Sequence, residues 1–346
     1  MKLLDPSDSQ LSENGLRSKL SSAMRAARRA LELKNPLPNK LKPDQISVEN
    51  AGRVAKVSGT WYRGENCNFH PERKNLSEPD AIAKYVGHGW FPEAPFITKK
   101  DYITAFGSCF AHHVTKYLKA NRYRVFGDDI PVSSYVIRCG EGMVNTAVIA
   151  QQFRWAYDEI EFDEELWHDK EGNASAYLND VRLNTRKIFD QTNVFIITLG
   201  LSEVWYDKKS GEVFWRSIPR NIYNPDRHGF KILSVAENKK NLELIYDRVR
   251  KYRPDATLIF TLSPVPLVAT FRPVSCITAN SVSKAILRVA ADEFMREHED
   301  KNLFYFPSYE IVQDFFRDDA FNDDLRHVRP DVVQTIMKAF HRAFLL

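Results

Sequence analysis

The segment YITAFGSCFA, residues 102–111, predicts how most of the chain folds. Its short apolar run Tyr102–Phe106 predicts a strand, and Gly107 marks a turn. The residues that follow, Phe110–Ala120, repeat with helical periodicity. A strand that passes through a glycine turn directly into a helix is the beginning of a β–α unit. This segment therefore predicts the first unit of an α/β domain.

Alternating strand and helix patterns continue from residue 100 to the C-terminus. The predicted strands are Asn193–Leu199, Ala256–Leu262 and Leu303–Phe306, and the predicted helices are Glu237–Tyr252, Asn280–Arg296 and Pro330–Phe344. Apolar strands that are separated by helices indicate a parallel sheet with helices on both faces. We therefore predict a three-layer α/β/α domain over residues 96–346 with a mostly parallel sheet. Ligands of such sheets bind at the carboxyl ends of the strands.

The first 95 residues have a different pattern and are predicted to be an N-terminal extension. Apolar residues recur at helical spacing between Leu16 and Leu31, with arginines and lysines between them, and Asn35–Pro38 ends that pattern. One interpretation of this basic amphipathic helix is packing on the main domain or on a second subunit, which would make a homo-oligomer. The other is contact with anionic lipid or polysaccharide. The Pro-, Gly- and Asn-rich remainder is expected to be an irregular extension that wraps the core or shapes a substrate entrance.

Composition excludes several classes of protein. The 346 residues carry a net charge of +4, which is too small to indicate binding to nucleic acid. The four cysteines are widely spaced, which fits a reducing compartment, and Cys67 and His70 form only half of a zinc-site spacing. No apolar run reaches the roughly 20 residues of a transmembrane helix, and no signal sequence is evident. We expect a cytoplasmic protein without a metal site.

Two short motifs supply the groups of an acyl-transfer site. Gly107-Ser108-Cys109 places a nucleophile where a strand turns into a helix, whose N-terminal N–H groups stabilise a thiolate or an oxyanion. Near the C-terminus, Asp324-Leu325-Arg326-His327 places a carboxylate three residues before an imidazole. A nucleophile, a histidine and an acid together form the triad of many acyl-transfer enzymes.

The same motifs resemble those of a known family. The segment Phe106–Ala111 is similar to the signature of the GSCFA domain family, whose members resemble the SGNH/GDSL hydrolase superfamily. Further blocks follow in the family's order: Thr198–Trp205, Thr261–Val265, Ser283–Arg288, Tyr305–Glu310 and Asp324–His327. The resemblance covers roughly residues 100–345 and implies the SGNH-like, flavodoxin-like form of the α/β/α fold.

The resemblance also implies catalytic roles. In SGNH enzymes the first block is Gly-Asp-Ser, with the serine as nucleophile. Alignment on the glycine puts Cys109 in that position, whereas alignment on the serine gives the role to Ser108. The last block implies that His327 is the general base and that Asp324 orients its imidazole.

The oxyanion hole is less well defined by the sequence. The superfamily uses backbone N–H groups and an asparagine from a Gly-x-Asn-Asp block, where this chain has Gly200-Leu201-Ser202-Glu203. Asn145 is an alternative amide donor, and Glu203 is alternatively a residue that packs beneath the site. The residues predicted to bind the oxyanion or the substrate are Gly107, Gly142, Asn145, Gly200, Ser202, Glu203 and Ser263.

These features predict an SGNH-like acyl hydrolase or acyltransferase that acts on a small acyl group, expected to be acetyl on a carbohydrate. No cofactor is required, although coenzyme A is a conceivable acyl donor because a thiol nucleophile favours transfer. Two alternatives belong to other classes of function. One is a non-catalytic module that binds a glycan or a nucleotide-sugar, and the other is a scaffold with a vestigial site.

Overall fold

The computed structural model describes residues 44–50, 53–59, 67–107, 109–126, 143–162, 166–168, 171–174 and 179–346, with the backbone alone for the two N-terminal strands, Cys109 and Asp318. The chain divides into two compact units, residues 1–72 and 73–346. In the first unit, β1 (Asp44–Asn50) and β2 (Arg53–Gly59) form an antiparallel hairpin. Part of the stretch that was expected to be irregular is therefore a hairpin. The basic helix predicted before residue 38 lies outside the described residues.

A five-stranded parallel sheet is the centre of the second unit. Its strands are β3 (Tyr102–Phe106), β4 (Arg124–Val125), β5 (Val194–Leu199), β8 (Thr257–Leu262) and β9 (Leu303–Phe306). Their order across the sheet is β4-β3-β5-β8-β9, and every neighbouring pair is parallel. This is the flavodoxin-like order 2-1-3-4-5, in which ligands bind where the order reverses, between the first and third strands. The predicted α/β fold with a mostly parallel sheet is confirmed.

Seven helices of the second unit carry labels. They are α1 (Ala81–Tyr85), α2 (Cys109–Ala120), α3 (Thr146–Asp158), α4 (Asn179–Gln191), α5 (Val235–Tyr252), α6 (Cys276–Glu297) and α7 (Pro330–Phe344). The first helical residues of α5 precede the predicted start at Glu237, because Ser234 and Glu237 form a capping box. Ser275 caps α6 and likewise moves its start ahead of the predicted Asn280. Among these helices, none combines the length and the hydropathy that a bilayer crossing needs.

Alternating side chains of β5 divide the core into two clusters. Phe195, Ile197 and Leu199 pack on one face with residues of α3, α4, α5 and α6. Val194 and Ile196 pack on the opposite face with residues of α2 and α7, which we call the α2/α7 face. Because successive side chains of a strand point to opposite faces, Thr198 also belongs to the α2/α7 face.

Two smaller elements complete the second unit. The antiparallel hairpin of β6 (Glu203–Asp207) and β7 (His228–Ile232) follows the carboxyl end of β5. The segment before β3 packs on β9, since Trp90 contacts Tyr305 and Phe91 contacts Phe306, with ring centroids 5.2 and 5.9 Å apart. These contacts attach residues 90 and 91, which precede the predicted domain start at residue 96, to the same compact unit.

Candidate active site

The turn between β3 and α2 admits only glycine at position 107. Its φ is +117°, a conformation that side chains rarely adopt, and an added Cβ would lie 2.3 Å from the carbonyl oxygen of Thr198 on β5. The backbone therefore passes against β5 and enters α2 at Cys109, at the carboxyl end of β3. Cys109 is the first residue of that helix. Ser108 lies outside the described residues, so the choice between the two nucleophiles stays a prediction.

Asp324 and His327 form the pair that the sequence predicts. The imidazole Nδ1 is hydrogen-bonded to the Asp324 carboxylate, whose other oxygen accepts the backbone N–H groups of Arg326 and His327, each at 3.0 Å. These hydrogen bonds, with that of His327 as the largest cause, hold the pKa of Asp324 well below its usual range. An ionised carboxylate at Nδ1 fixes the proton on that nitrogen, so Nε2 carries the lone pair that a general base needs.

The loop that carries this pair is tied mainly to itself. Phe321 and Val328 form a β-bridge, and Asn322 N–H donates to the His327 carbonyl at 2.9 Å. Leu325 closes the turn with a φ of +53°. The side chains of His327 and Asp324 are 56% and 47% exposed. The pair is therefore accessible from solvent and ordered by local hydrogen bonds.

The fold brings the nucleophile helix and the histidine loop to one end of the sheet. Phe110 follows Cys109 directly and Val328 follows His327 directly, and both belong to the cluster on the α2/α7 face. His113, one helical turn after Cys109, has its pKa lowered mainly by partial burial and further by the charges of His112, Lys116 and His327. His327 is thus close enough to the first turns of α2 for its charge to affect His113. This proximity is what the triad hypothesis requires.

The carboxyl end of β5 is joined to the start of α3. Gly200 N–H donates to the Val144 carbonyl at 2.7 Å, and a Cβ at Gly200 would lie at the same distance from that oxygen. The N–H of Gly200 is therefore occupied and cannot donate to an oxyanion in this structure. Gly200 packs closely against residue 144, and its part in substrate binding stays a prediction.

Asn145 stands next to this junction and retains a free amide. It is the N-cap of α3, where its Oδ1 accepts the Val148 N–H at 3.0 Å. The cap holds the side chain in one orientation, and among the described residues its Nδ2 group donates to no partner. Asn145 is buried beside the end of β5. Its role as amide donor stays a prediction, now with a free donor to support it.

Ser202 and Glu203 are engaged in structural contacts. The Ser202 hydroxyl donates to the carbonyl of Ser283 on α6, and its N–H donates to the Ser283 hydroxyl, both at 2.8 Å. The Glu203 carboxylate accepts the hydroxyl of Thr270 at 2.8 Å. The single hydroxyl donor of Ser202 is therefore bonded to α6, which lies directly against this loop. Glu203 is buried and bound by Thr270, which fits the alternative of packing, and its role stays a prediction.

Lys284 joins the ends of β5 and β8 and was not singled out by the sequence. Its Nζ donates to the carbonyls of Gly200 and Ser263, at 2.6 and 2.7 Å, and burial lowers the pKa of the amine to about 7. The predicted substrate residue Ser263 therefore lies at the end of β8 in this network. A signal exists in the sequence: Lys284 falls in the apolar stripe of α6 that continues with Leu287 and Ala291.

Some predicted residues and other possible sites complete the description. Gly142 lies outside the described residues. No cluster of three metal-ligating side chains occurs within the described part of the chain. A cavity of about 540 Å³ lies between α1, the residues after it and α7, with Phe91, Phe315 and Arg342 in its wall. None of the predicted site residues lines that cavity, so it is separate from the candidate active site.

The family assignment rests on the sequence match over this same domain. The model of the GSCFA family matches residues 102–340, which is more than half of the chain. The chain belongs to the GSCFA family. The resemblance expected from the sequence blocks is therefore confirmed. No curated protein matches this sequence.

Solved structures that resemble this GSCFA protein include esterases. A carbohydrate esterase of family 3 from Talaromyces cellulolyticus is 9% identical, over 69% of this chain and 94% of that chain, with a TM-score of 0.34. A proposed GDSL-like lipase from Parabacteroides merdae is 10% identical, over 72% and 98%, with a TM-score of 0.38. A family 2 carbohydrate esterase from Clostridium thermocellum is 9% identical, over 72% and 63%, with a TM-score of 0.34. Similarity this low carries no argument about activity.

Proposed function

We propose that this GSCFA protein is an acyl hydrolase or acyltransferase that works through a nucleophile–His–Asp triad. The observation that carries the proposal is the Asp324–His327 pair, in which the carboxylate holds Nδ1 and leaves Nε2 basic. The packing of Val328, next to His327, and Phe110, next to Cys109, in one cluster supports the pairing of His327 with Cys109. Cys109 is the proposed nucleophile, and Ser108 is the alternative.

The proposed reaction has two half-steps. In the first, the nucleophile attacks the acyl carbonyl carbon while its proton passes to His327 Nε2. The tetrahedral oxyanion is held by N–H groups at the start of α2 and by Asn145 Nδ2, and it collapses as the imidazolium protonates the leaving group. In the second, water or an acceptor hydroxyl attacks the acyl-enzyme and gives its proton to His327, which returns it to the nucleophile.

We propose a small acyl group on a carbohydrate as the substrate class. The ordered sequence blocks, which resemble those of the SGNH superfamily, support this choice. Coenzyme A is the proposed donor if the protein transfers rather than hydrolyses, since an acyl thioester and a thiol nucleophile exchange readily. The chain's own contribution would be the same with either donor, because both present a carbonyl to the same triad.

Intact-mass spectrometry tests this function. After incubation with p-nitrophenyl acetate or acetyl-CoA, the wild-type protein is expected to carry one acetyl group, mapped by peptide analysis to Cys109 or Ser108. The adduct should be absent from the variant of whichever residue is the nucleophile, Cys109→Ala or Ser108→Ala. His327→Ala should slow its formation.

The alternatives predict other results. Wild-type protein that binds acetylated oligosaccharide or a nucleotide-sugar but never forms the adduct, with binding unchanged in Cys109→Ala, would establish the non-catalytic module and overturn the proposal. Protein with neither adduct nor ligand would support the scaffold with a vestigial site.

A further inference from the structure

The hydroxyl of Thr198 is buried at the candidate active site and has no hydrogen-bond partner. Thr198 has no exposed surface, and its Oγ1 is among the buried side-chain atoms without a partner in the described part of the chain. Leaving a buried hydroxyl unpaired costs free energy, so such a group in a folded protein requires an explanation.

The position of Thr198 places this hydroxyl beside the nucleophile turn. A Cβ at Gly107 would lie 2.8 Å from the Thr198 Cβ, so the turn passes directly against this side chain. The alternation of β5 puts Thr198 on the α2/α7 face, with Phe110 and Val328. That face carries both the helix that begins at Cys109 and the loop that presents His327.

The neighbouring hydroxyls do not satisfy Thr198. Thr261, its partner in the β5–β8 register, lies 2.7 Å from the Ser308 hydroxyl, and Ser308 donates to the Leu262 carbonyl at 2.8 Å. Thr261 must therefore be the donor to Ser308. On the opposite face of the sheet, Thr104 of β3 is also paired, with Thr192 at 2.6 Å. Of these five hydroxyl residues, Thr198 alone has an unused donor.

We propose that Thr198 is a positioning residue, whose hydroxyl donates to the nucleophile as the nucleophile loses its proton. This inference rests on the proposed function and deepens it, since it assigns a residue to the same site. A donor next to the turn stabilises the anionic sulfur or oxygen more than the neutral group, and it restricts the nucleophile to one orientation. The unmet hydrogen bond of the resting protein is then made in the reacting state.

Thr198→Val is the decisive variant because valine has the shape of threonine without the hydroxyl. A role in structure alone predicts that removing an unpaired buried hydroxyl leaves the thermal midpoint unchanged or raises it, with acylation unaffected. The proposal predicts the same midpoint but an acetylation rate lower by about tenfold or more, the effect of one charge-assisted hydrogen bond. Thr198→Ser, which keeps the hydroxyl, should restore most of the rate.

Thr104→Val is the matched control. It removes a buried strand hydroxyl that is paired with Thr192 on the face away from α2 and α7, so it should lower the thermal midpoint and leave the acetylation rate close to that of wild type. An acetylation rate in Thr198→Val equal to that of wild type would overturn the proposal.

A second measurement separates this inference from the proposed function. The pH dependence of Cys109 alkylation by iodoacetamide, followed by peptide mass spectrometry, reports the thiolate without any acyl chemistry. If wild type forms no acetyl adduct, the proposed function fails, and the alkylation profile then decides the role of Thr198. A shift of the profile to higher pH in Thr198→Val supports the hydrogen bond, and identical profiles overturn it.

Discussion

The strand-end region and the histidine loop are held in contrasting ways. Around residues 198–202, the backbone is buried and tied to distant parts of the chain, to Val144, Ser283 and Lys284. The histidine loop, residues 321–328, is exposed and tied mainly to its own backbone. We therefore expect substitutions in the strand-end region mainly to lower the free energy of unfolding. Substitutions in the histidine loop should lower the acetylation rate without changing the free energy of unfolding.

Gly107→Ala is expected to have the largest effect, loss of folded protein. The positive φ costs about 1–3 kcal/mol in a residue with a Cβ, and the added atom would also overlap the buried backbone of Thr198. Gly211→Ala is the matched control, since Gly211 has a φ of +77° but no atom within 4 Å of an added Cβ. Soluble yield and thermal unfolding check this prediction. Equal losses in the two variants would show that the contact with β5 is unimportant.

Asp324→Asn should act on chemistry alone. The amide loses the charge that holds the Nδ1 proton of His327, and we expect acetylation to fall by about two to four orders of magnitude. The thermal midpoint should stay close to that of wild type because both side chains are exposed. The neighbouring exposed residue supplies the control Asp323→Asn, which should change neither quantity. Stopped-flow measurement of p-nitrophenol release gives the rates, and a wild-type rate in Asp324→Asn would contradict the pair's role.

The buried amine of Lys284 should make the free energy of unfolding depend on pH. Burial lowers its pKa to about 7, below the value of 10.5 for a free lysine. Between these values the unfolded chain binds more protons than the folded chain, so the free energy of unfolding rises with pH. The slope from this one group cannot exceed about 1.4 kcal/mol per pH unit.

Urea unfolding of wild type and Lys284→Met between pH 7 and pH 10 tests this. The variant should show a smaller slope. Lys239→Met is the control, because Lys239 lies on α5 with carboxylate partners, Glu243 and Glu297. A slope in Lys284→Met as steep as in wild type would assign the titration to other groups.

Ser202→Ala should have the smallest effect and distinguishes its structural role from an oxyanion role. Loss of its hydroxyl removes the additional hydrogen bond to the Ser283 carbonyl, which accepts a helical N–H as well, and this costs about 0.5–1.5 kcal/mol of stability. The acetylation rate should change by less than about threefold, against the two to three orders of magnitude expected for loss of an oxyanion donor. Asn145→Ala, assayed beside it, should show that larger loss of rate. A reversed pattern would restore Ser202 to the oxyanion hole.

Local pattern predicted four of the five parallel strands and the helices α2, α5, α6 and α7, but it did not predict β4, the β6–β7 hairpin or the helices α1, α3 and α4. The strand Leu303–Phe306 and the helix Pro330–Phe344 have the predicted bounds, because apolar runs and a first-turn proline mark them without ambiguity. The start of α6 was predicted too late, since Ser275 caps it after a loop that has no helical periodicity of its own. The packing of Trp90 and Phe91 on β9 has no local signal, because that strand lies more than 200 residues away in the sequence.

The sequence by itself determined the family, the α/β class and the residues that could supply a nucleophile, an imidazole and a carboxylate. These follow from residue type and short spacing. Only the tertiary structure decided which polar groups remain available: it occupied Gly200 and Ser202, freed the Asn145 amide, buried Lys284 and left Thr198 unpaired. The physical reason is that a hydrogen-bonding group is used up by whatever the fold places beside it, and residues from distant strands and helices meet only after folding.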